Sequence, residues 1–264
     1  MAQPGLSAAP GAARVVVAPD PAALVRAAAS EIAGRAGRAV VERGRFAIAL
    51  SGGTTPRRLL ALLADAAEPW RARLPWQACD VFFGDERHVP PDHPDSNYGM
   101  ARTALLSKVP LAPERVHRVL AEETDAAAAA RDYERELRRV LGATAPEVPR
   151  LDAVLLGMGP DGHTASLFPG SPALEERERL VAAPFVERLG AHRITFTFPL
   201  LEAARAVLFL VTGADKAERV ADVLEGEGHD LPAGRVRPRG GELVWFLDEA
   251  AAARLRGAVE RAAG

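Results

Sequence analysis

The sequence FAIALSGGTTPRRLLALL at residues 46–63 joins an apolar run, a glycine turn and a leucine-rich segment. The five apolar residues at 46–50 suit a buried strand, and the leucines after Pro56 recur at the spacing of an amphipathic helix. Thr55 as N-cap and Pro56 at the first helical position fit the start of that helix. We therefore predict a strand, a tight turn and a helix, the repeating unit of a parallel α/β sheet.

The same alternation extends over the rest of the chain. We predict further strands at residues 14–18, 80–84, 151–156, 193–198, 206–211 and 243–247. We predict further helices at residues 20–44, 96–109 and 125–141, and after Gly213 and Asp248. Because the strands are continuous apolar runs, both faces of the sheet must be covered. The expected fold is one α/β domain over residues 14–264, with a mostly parallel, Rossmann-like sheet flanked by helices on both faces, after a flexible tail at residues 1–13.

Composition narrows the class of protein. The chain has 264 residues, of which 48% are hydrophobic, so it can bury a substantial core. A formal net charge of -2 gives no electrostatic argument for nucleic-acid binding. The sequence has neither an uninterrupted apolar run of about 18 residues nor the regions of a signal peptide. We therefore expect a cytoplasmic protein without a nucleic-acid or membrane partner, and we leave its oligomeric state open between a monomer and a weak dimer.

Three loops that follow predicted strands carry unusual polar residues, at 51–55, 84–97 and 157–166. In open parallel sheets, ligands bind beyond the carboxyl ends of the strands. We therefore expect the three loops to form one site.

The first loop places Ser51, Gly52, Gly53 and Thr54 just before a helix N-terminus. Exposed backbone N–H groups and the positive end of the helix dipole favour a phosphate at such a position. The loop lacks the Gly-Lys-Ser/Thr ending of a nucleotide P-loop. A plain turn that only connects strand and helix is the alternative.

The second loop carries Asp85, Arg87 and Asn97, and it also contains many possible metal ligands. Its irregular spacing and its prolines argue against a metal cage, and we predict no metal site. Arg87 is the more informative residue, because a fixed guanidinium can clamp a phosphate or a carboxylate.

The third loop contains Gly157, Gly159 and Gly162 at the spacing of a dinucleotide fingerprint. Pro160 interrupts the loop and Pro169 would end any helix soon after it, so the match to that fingerprint is weak. The same loop holds Asp161 and His163, and a histidine at the end of a strand can act as a general base. A merely exposed histidine is the alternative.

Five ordered blocks of sequence together resemble the 6-phosphogluconolactonases of the pentose phosphate pathway, within the wider glucosamine-6-phosphate isomerase/deaminase superfamily. The blocks are LSGGTTP at 50–56, GDER at 84–87 with SNY at 96–98, LLGMGPDGHTASLFP at 155–169, RITFTFP at 193–199 and GADKA at 213–217. The resemblance covers about residues 14–262.

This resemblance implies hydrolysis of 6-phosphoglucono-1,5-lactone to 6-phosphogluconate without a cofactor. It makes His163 the general base and then the general acid, with Asp161 orienting or stabilising its imidazole. The implied substrate-binding residues are Ser51, Gly52, Gly53, Thr54, Asp85, Arg87, Asn97, Gly159, Arg193 and Lys216. The small sugar-phosphate lactone is the expected partner.

Lysine usage supports one of these assignments. Of the 33 basic residues, only Lys108 and Lys216 are lysines. Lys108 lies near a predicted helix end and needs only solvation, whereas Lys216 follows a strand and a glycine in the GADKA block. A compact ammonium kept in an arginine-rich chain favours a phosphate contact at Lys216.

Two other functions fit the same superfamily. Glucosamine-6-phosphate isomerases carry a carboxylate in an Asn-Glu-Pro setting, where this chain has Leu167-Phe168-Pro169. A sugar-phosphate sensor in a transcription regulator would need a DNA-binding module, and the N-terminal segment here is too short for one. Both alternatives are therefore disfavoured.

Overall fold

A computed structural model of the chain describes residues 13–226, 228–257 and 259–262, and almost all of the predicted tail at 1–13 lies outside them. The strands are β1 Arg14–Ala18, β2 Phe46–Leu50, β3 Cys79–Phe83, β4 Asp85–Arg87, β5 Ala153–Leu156, β6 Val181–Ala182, β7 Phe185–Val186, β8 Ala191–Phe196, β9 Ala206–Val211, β10 Glu242–Asp248 and β11 Glu260–Arg261. The α-helices are α1 Pro21–Arg43, α2 Thr54–Ala64, α3 Pro69–Arg73, α4 Asn97–Ala101, α5 Ala126–Leu141, α6 Phe198–Ala203, α7 Ala217–Glu225, α8 Pro232–Arg235 and α9 Glu249–Ala252.

The main sheet has seven strands in the order β11-β1-β10-β9-β5-β2-β3. Every neighbouring pair in it is parallel. Side chains along β2 alternate between two buried clusters, with Phe46, Ile48 and Leu50 on one face and Ala47 and Ala49 on the other. Helices α1 and α2 cover the first face, and α5, α6 and α7 cover the second. The predicted parallel α/β fold is therefore confirmed.

A second sheet was not predicted. Strands β4, β8 and β6 form an antiparallel sheet in that order, and β7 also pairs with β8. The predicted strand at 193–198 is therefore displaced to Ala191–Phe196 and does not belong to the main sheet. Most strands of this second sheet have only two or three residues, too few for a period to show in the sequence.

Two predicted helix boundaries were wrong. The helix expected at 96–109 is α-helical only over Asn97–Ala101 and continues as a wider π turn over Arg102–Leu106. Val109 precedes Pro110, which disfavours helical backbone there. Helix α2 begins at Thr54 with Gly53 as N-cap, so Thr55 lies inside the first turn instead of capping it.

The one cysteine and the membrane prediction can also be compared with the structure. Cys79 is buried, and burial raises the pKa of its thiol to about 12, which makes it a poor nucleophile. Within the part of the chain that the structure describes, every helix is too short or too polar to cross a bilayer. The cytoplasmic location stays a prediction.

Candidate active site

The three loops meet in one cleft of about 360 Å³ beyond the carboxyl ends of β2, β5 and β9. Predicted site residues that line it are Ser51, Gly52, Gly53, Thr54, Asp85, Arg87, Asn97, Gly159, His163 and Lys216. Other lining residues are Thr55, Pro56, Gly157, Met158, Ala165 and Thr212. Asp161 and Arg193 are the two predicted site residues outside this lining. The position beyond the strand ends is where open parallel sheets bind ligands.

A larger groove of about 910 Å³ lies at the opposite, amino edge of the sheet, before β5, β9 and β10. Its lining includes five arginines, Arg150, Arg177, Arg235, Arg237 and Arg239. The lining contains no histidine, and Glu202 is its one carboxylate. We take the smaller cleft as the candidate active site, because a histidine paired with a carboxylate faces it.

Asp161 holds the imidazole of His163 at the end of β5. Asp161 Oδ1 lies 2.5 Å from His163 Nδ1 and accepts the backbone N–H of His163 at 3.2 Å. Burial alone would raise the pKa of Asp161, but its contacts with His163 and the charge of Arg188 lower that pKa below its ordinary value. An ionised Asp161 favours the proton on Nδ1, so Nε2 is left as the basic nitrogen of the ring.

Gly159 makes room for that ring. A Cβ atom added at Gly159 would lie 2.1 Å from both Cε1 and Nδ1 of His163, far inside van der Waals contact. The turn itself is closed by the N–H of Gly159 donating to the carbonyl of His163 at 2.9 Å. Any residue larger than glycine at 159 would therefore displace the imidazole.

Two residues pack behind the Asp161–His163 pair. The rings of Phe168 and His163 lie 4.4 Å apart between centroids. The guanidinium of Arg188 stands 4.4 Å from the centroid of the same Phe168 ring and contacts Asp161 Oδ2 at 2.8 Å. Arg188 was not among the predicted site residues, because it lies 27 positions from Asp161 in a segment without a recognised motif.

The first loop presents the start of α2 to the cleft. No side chain caps this helix, and Gly53 precedes it with φ at 101°. The Thr55 hydroxyl instead shares a 2.8 Å hydrogen bond with Thr212, which ties α2 to the end of β9. The backbone N–H groups of the first turn therefore remain able to bind an anion.

Side-chain contacts join the loops to one another. A Cβ added at Gly52 would lie 1.9 Å from Asn97 Oδ1, so the first and second loops touch directly. Asn97 Nδ2 donates to the carbonyl of Asp85 at 2.9 Å, and Ser166 Oγ of the third loop donates to Asp85 Oδ2 at 2.7 Å. Asp85 is thus the link between the second and third loops.

Glu86 holds the second loop in shape and was not among the predicted site residues. Its carboxylate accepts the backbone N–H groups of Arg87, Asn97 and Tyr98 at 2.7–2.8 Å. Burial raises the pKa of Glu86 in spite of these hydrogen bonds. Its position between Asp85 and Arg87 in the GDER block was the one available signal of this role.

The predicted cations occupy different positions. Lys216 lines the cleft and pairs with its neighbour Asp215, while Arg87 lines the cleft and donates to the carbonyl of Asp95. Arg193 lies directly opposite Arg87 on the antiparallel strand β8, outside the cleft lining. Burial and then the charge of Arg87 lower the pKa of Arg193. Arg193 therefore lies beside the site, next to Arg87, without lining the cleft.

The structure also bears on the dinucleotide fingerprint and on the possible metal ligands. No helix opens between Gly157 and Ser171, so the glycines of the third loop lack the helix that dinucleotide binding requires. Among the described residues, no group of three or more histidine, cysteine, aspartate or glutamate side chains is placed to hold a metal ion.

The family model for glucosamine-6-phosphate isomerases/6-phosphogluconolactonase matches residues 19–245. The chain is 44% identical over 243 residues to a 6-phosphogluconolactonase of Nostoc sp., covering 91% of this chain and 98% of that protein. It is 44% identical over 217 residues to the human 6-phosphogluconolactonase, covering 80% of this chain and 81% of that protein.

A solved structure shows the same likeness. The 6-phosphogluconolactonase from Trypanosoma brucei is 33% identical and superposes with a TM-score of 0.79, covering 92% of this chain and 99% of that one. The predicted resemblance is therefore confirmed, and so is the prediction of an enzyme of the lactone hydrolase type. The chain belongs to the glucosamine-6-phosphate isomerase/6-phosphogluconolactonase family.

Proposed function

We propose that the protein hydrolyses 6-phosphoglucono-1,5-lactone to 6-phosphogluconate in the oxidative pentose phosphate pathway, with His163 as general base and then general acid. The Asp161–His163 pair, in a cleft that also offers a free helix N-terminus and Lys216, carries this proposal. The names of the relatives support the same substrate.

The reaction needs one base that later acts as an acid. His163 Nε2 takes a proton from water as the water oxygen attacks the lactone carbonyl carbon, which gives a tetrahedral intermediate. The intermediate collapses with cleavage of the bond from that carbon to the ring oxygen, and the imidazolium returns its proton to this oxygen. The new carboxylic acid then ionises and releases a proton to solution. Asp161 stabilises the imidazolium between the two steps.

The substrate phosphate is assigned to the start of α2, with Lys216 and Arg87. A sugar phosphate carries close to two negative charges at neutral pH and needs several donors. The first-turn N–H groups of α2, with Lys216 and Arg87, supply amide and cationic donors from three loops. The phosphate would therefore anchor the substrate with its lactone carbonyl toward His163.

Phe168 favours lactone hydrolysis over the isomerase alternative. The isomerase places a carboxylate at this point of the chain to move protons between sugar carbons. Here the Phe168 ring is 9% exposed and packs against the His163 ring. Hydrolysis of a lactone needs no proton shuttle between carbons, so an aromatic ring at this position does not impede it.

A direct assay tests the proposal. Freshly generated 6-phosphogluconolactone is mixed with the protein, and acid release is followed against a blank because the lactone also hydrolyses spontaneously. We expect acceleration above the blank and no ammonia from glucosamine 6-phosphate. Acid release equal to the blank, or ammonia release from the amino sugar, would overturn the proposal.

Replacing Lys216 with alanine is expected to raise the KM for the phosphorylated lactone by about 10- to 150-fold. A hydrogen bond to a charged group contributes about 1.5–3 kcal/mol, and every 1.4 kcal/mol is about tenfold. The kcat should change little, since Lys216 is assigned to the phosphate and not to the reacting carbonyl.

The chain offers a matched control in Lys108, its other lysine, which is exposed and does not line the cleft. Lys108→Ala should leave both KM and kcat unchanged. Unphosphorylated glucono-1,5-lactone should be hydrolysed equally well by K216A and wild type. An equal loss with both substrates would remove Lys216 from the phosphate site.

A further inference from the structure

The carboxylate of Asp161 has different partners on its two oxygens. Oδ1 contacts the imidazole Nδ1 and the backbone N–H of His163. Oδ2 contacts a guanidinium nitrogen of Arg188 at 2.8 Å. Because both oxygens are held, the carboxylate cannot rotate about its Cβ–Cγ bond without losing one of these contacts.

Arg188 is itself held by an aromatic ring. Its guanidinium lies 4.4 Å from the centroid of Phe168, and that ring lies 4.4 Å from the centroid of His163. The four side chains of Arg188, Asp161, His163 and Phe168 therefore form a closed circuit of contacts. A stacked guanidinium keeps its plane fixed, which a lysine ammonium in the same place would do less well.

A second hollow borders the rear of the Asp161–His163 pair. It has a volume of about 650 Å³ and is lined by Asp161, Phe168, Phe185 and Arg188 among others. Because Asp161 lines this hollow, water there can compete with Arg188 for Oδ2. Loss of the guanidinium would leave that oxygen to water.

We propose that Arg188 is a positioning residue, which fixes the Asp161 carboxylate so that His163 keeps its proton on Nδ1 and its basic Nε2 toward the cleft. This inference rests on the proposed function. Arg188 is placed on the rear side of Asp161 and does not line the cleft, so it acts on the reaction through Asp161. Its side chain is 53% exposed, so its effect depends on geometry more than on the strength of the ion pair.

The test compares Arg188→Met with Arg188→Lys. Methionine keeps much of the side-chain length of arginine and its packing on Phe168, but it loses the positive charge and the N–H donors of the guanidinium. In R188M we expect kcat to fall about 10-fold and KM to stay within about twofold. R188K should recover part of kcat. Arg131→Met is the control: this exposed arginine of α5 pairs with Asp125 and does not line the cleft, so the change should alter neither quantity.

A second measurement separates this inference from the proposed function. NMR of the ¹⁵N-labelled imidazole reports which ring nitrogen of His163 carries the proton. We expect Nδ1–H alone in the wild type and a mixture of both tautomers in R188M. An unchanged tautomer together with a wild-type kcat in R188M would overturn the inference. A wild type without lactone hydrolysis, but with the tautomer change in R188M, would overturn only the proposed function.

Discussion

Replacing His163 with alanine is expected to lower kcat for 6-phosphogluconolactone by about 10²- to 10⁴-fold, the usual contribution of a positioned acid–base group. The imidazole is the one basic group in the cleft that has a carboxylate on its far nitrogen. Its loss leaves water without a base during attack and the ring oxygen without an acid during collapse. The KM should change much less, because His163 is not among the groups proposed to bind the phosphate.

The pH profile gives an independent check of this assignment. The wild-type kcat/KM should fall at acid pH as His163 becomes protonated and loses its basic nitrogen. That acid limb should be absent from the residual activity of H163A. A variant with wild-type turnover above the blank, or with the same acid limb, would contradict a role for His163 as the base.

Replacing Gly159 with alanine should cost about 10²-fold in kcat although it adds only one methyl group. The new Cβ would lie 2.1 Å from two ring atoms of His163, so the imidazole has to move by an ångström or more. A displacement of about 1 Å of a catalytic group can cost about 10²-fold. The fold should be retained, because the atoms nearest to the new Cβ belong to side chains, which can move away from it, and not to backbone.

Gly37→Ala is the matched control for this prediction. Gly37 lies inside α1, where an added Cβ meets no other atom within 4 Å. That variant should keep full activity and gain about 0.4–1 kcal/mol of stability from the reduced entropy of its unfolded chain. Circular dichroism and thermal unfolding would show whether G159A remains folded. Full activity in a folded G159A would mean that the imidazole does not need the position described here.

Much of the fold was predictable because local patterns of apolar residues determine its strands and helices. Continuous apolar runs such as Phe46–Leu50 and Ala206–Val211 fixed the parallel sheet, and such a sheet dictates that the loops after its strands meet at one edge. Ten of the predicted site residues were found in the cleft for this reason. The expectation for Lys216 came from the resemblance and was supported by the rarity of lysine, and the structure places that residue in the cleft lining.

The parts that were missed depend on contacts between distant segments. Thr55 is a residue type that often caps helices, but its hydroxyl forms a hydrogen bond with Thr212 instead. Thr212 is distant in sequence, so no local rule could predict this partner. Strand β4 is three residues long and exists because β8 pairs with it. Arg188 is one of many arginines, and only the folded chain brings it onto Asp161 and Phe168.

The cleft draws its residues from four separate places, beginning at Ser51 and ending at Lys216. Strands β2, β5 and β9 must therefore be in register before any of them can present its loop to the others. Long-range pairing of this kind is slow to form in folding. During refolding, recovered lactonase activity should consequently lag behind the return of helical circular dichroism, and proteolytic cleavage at any point between β2 and α7 that separates the fragments should abolish it.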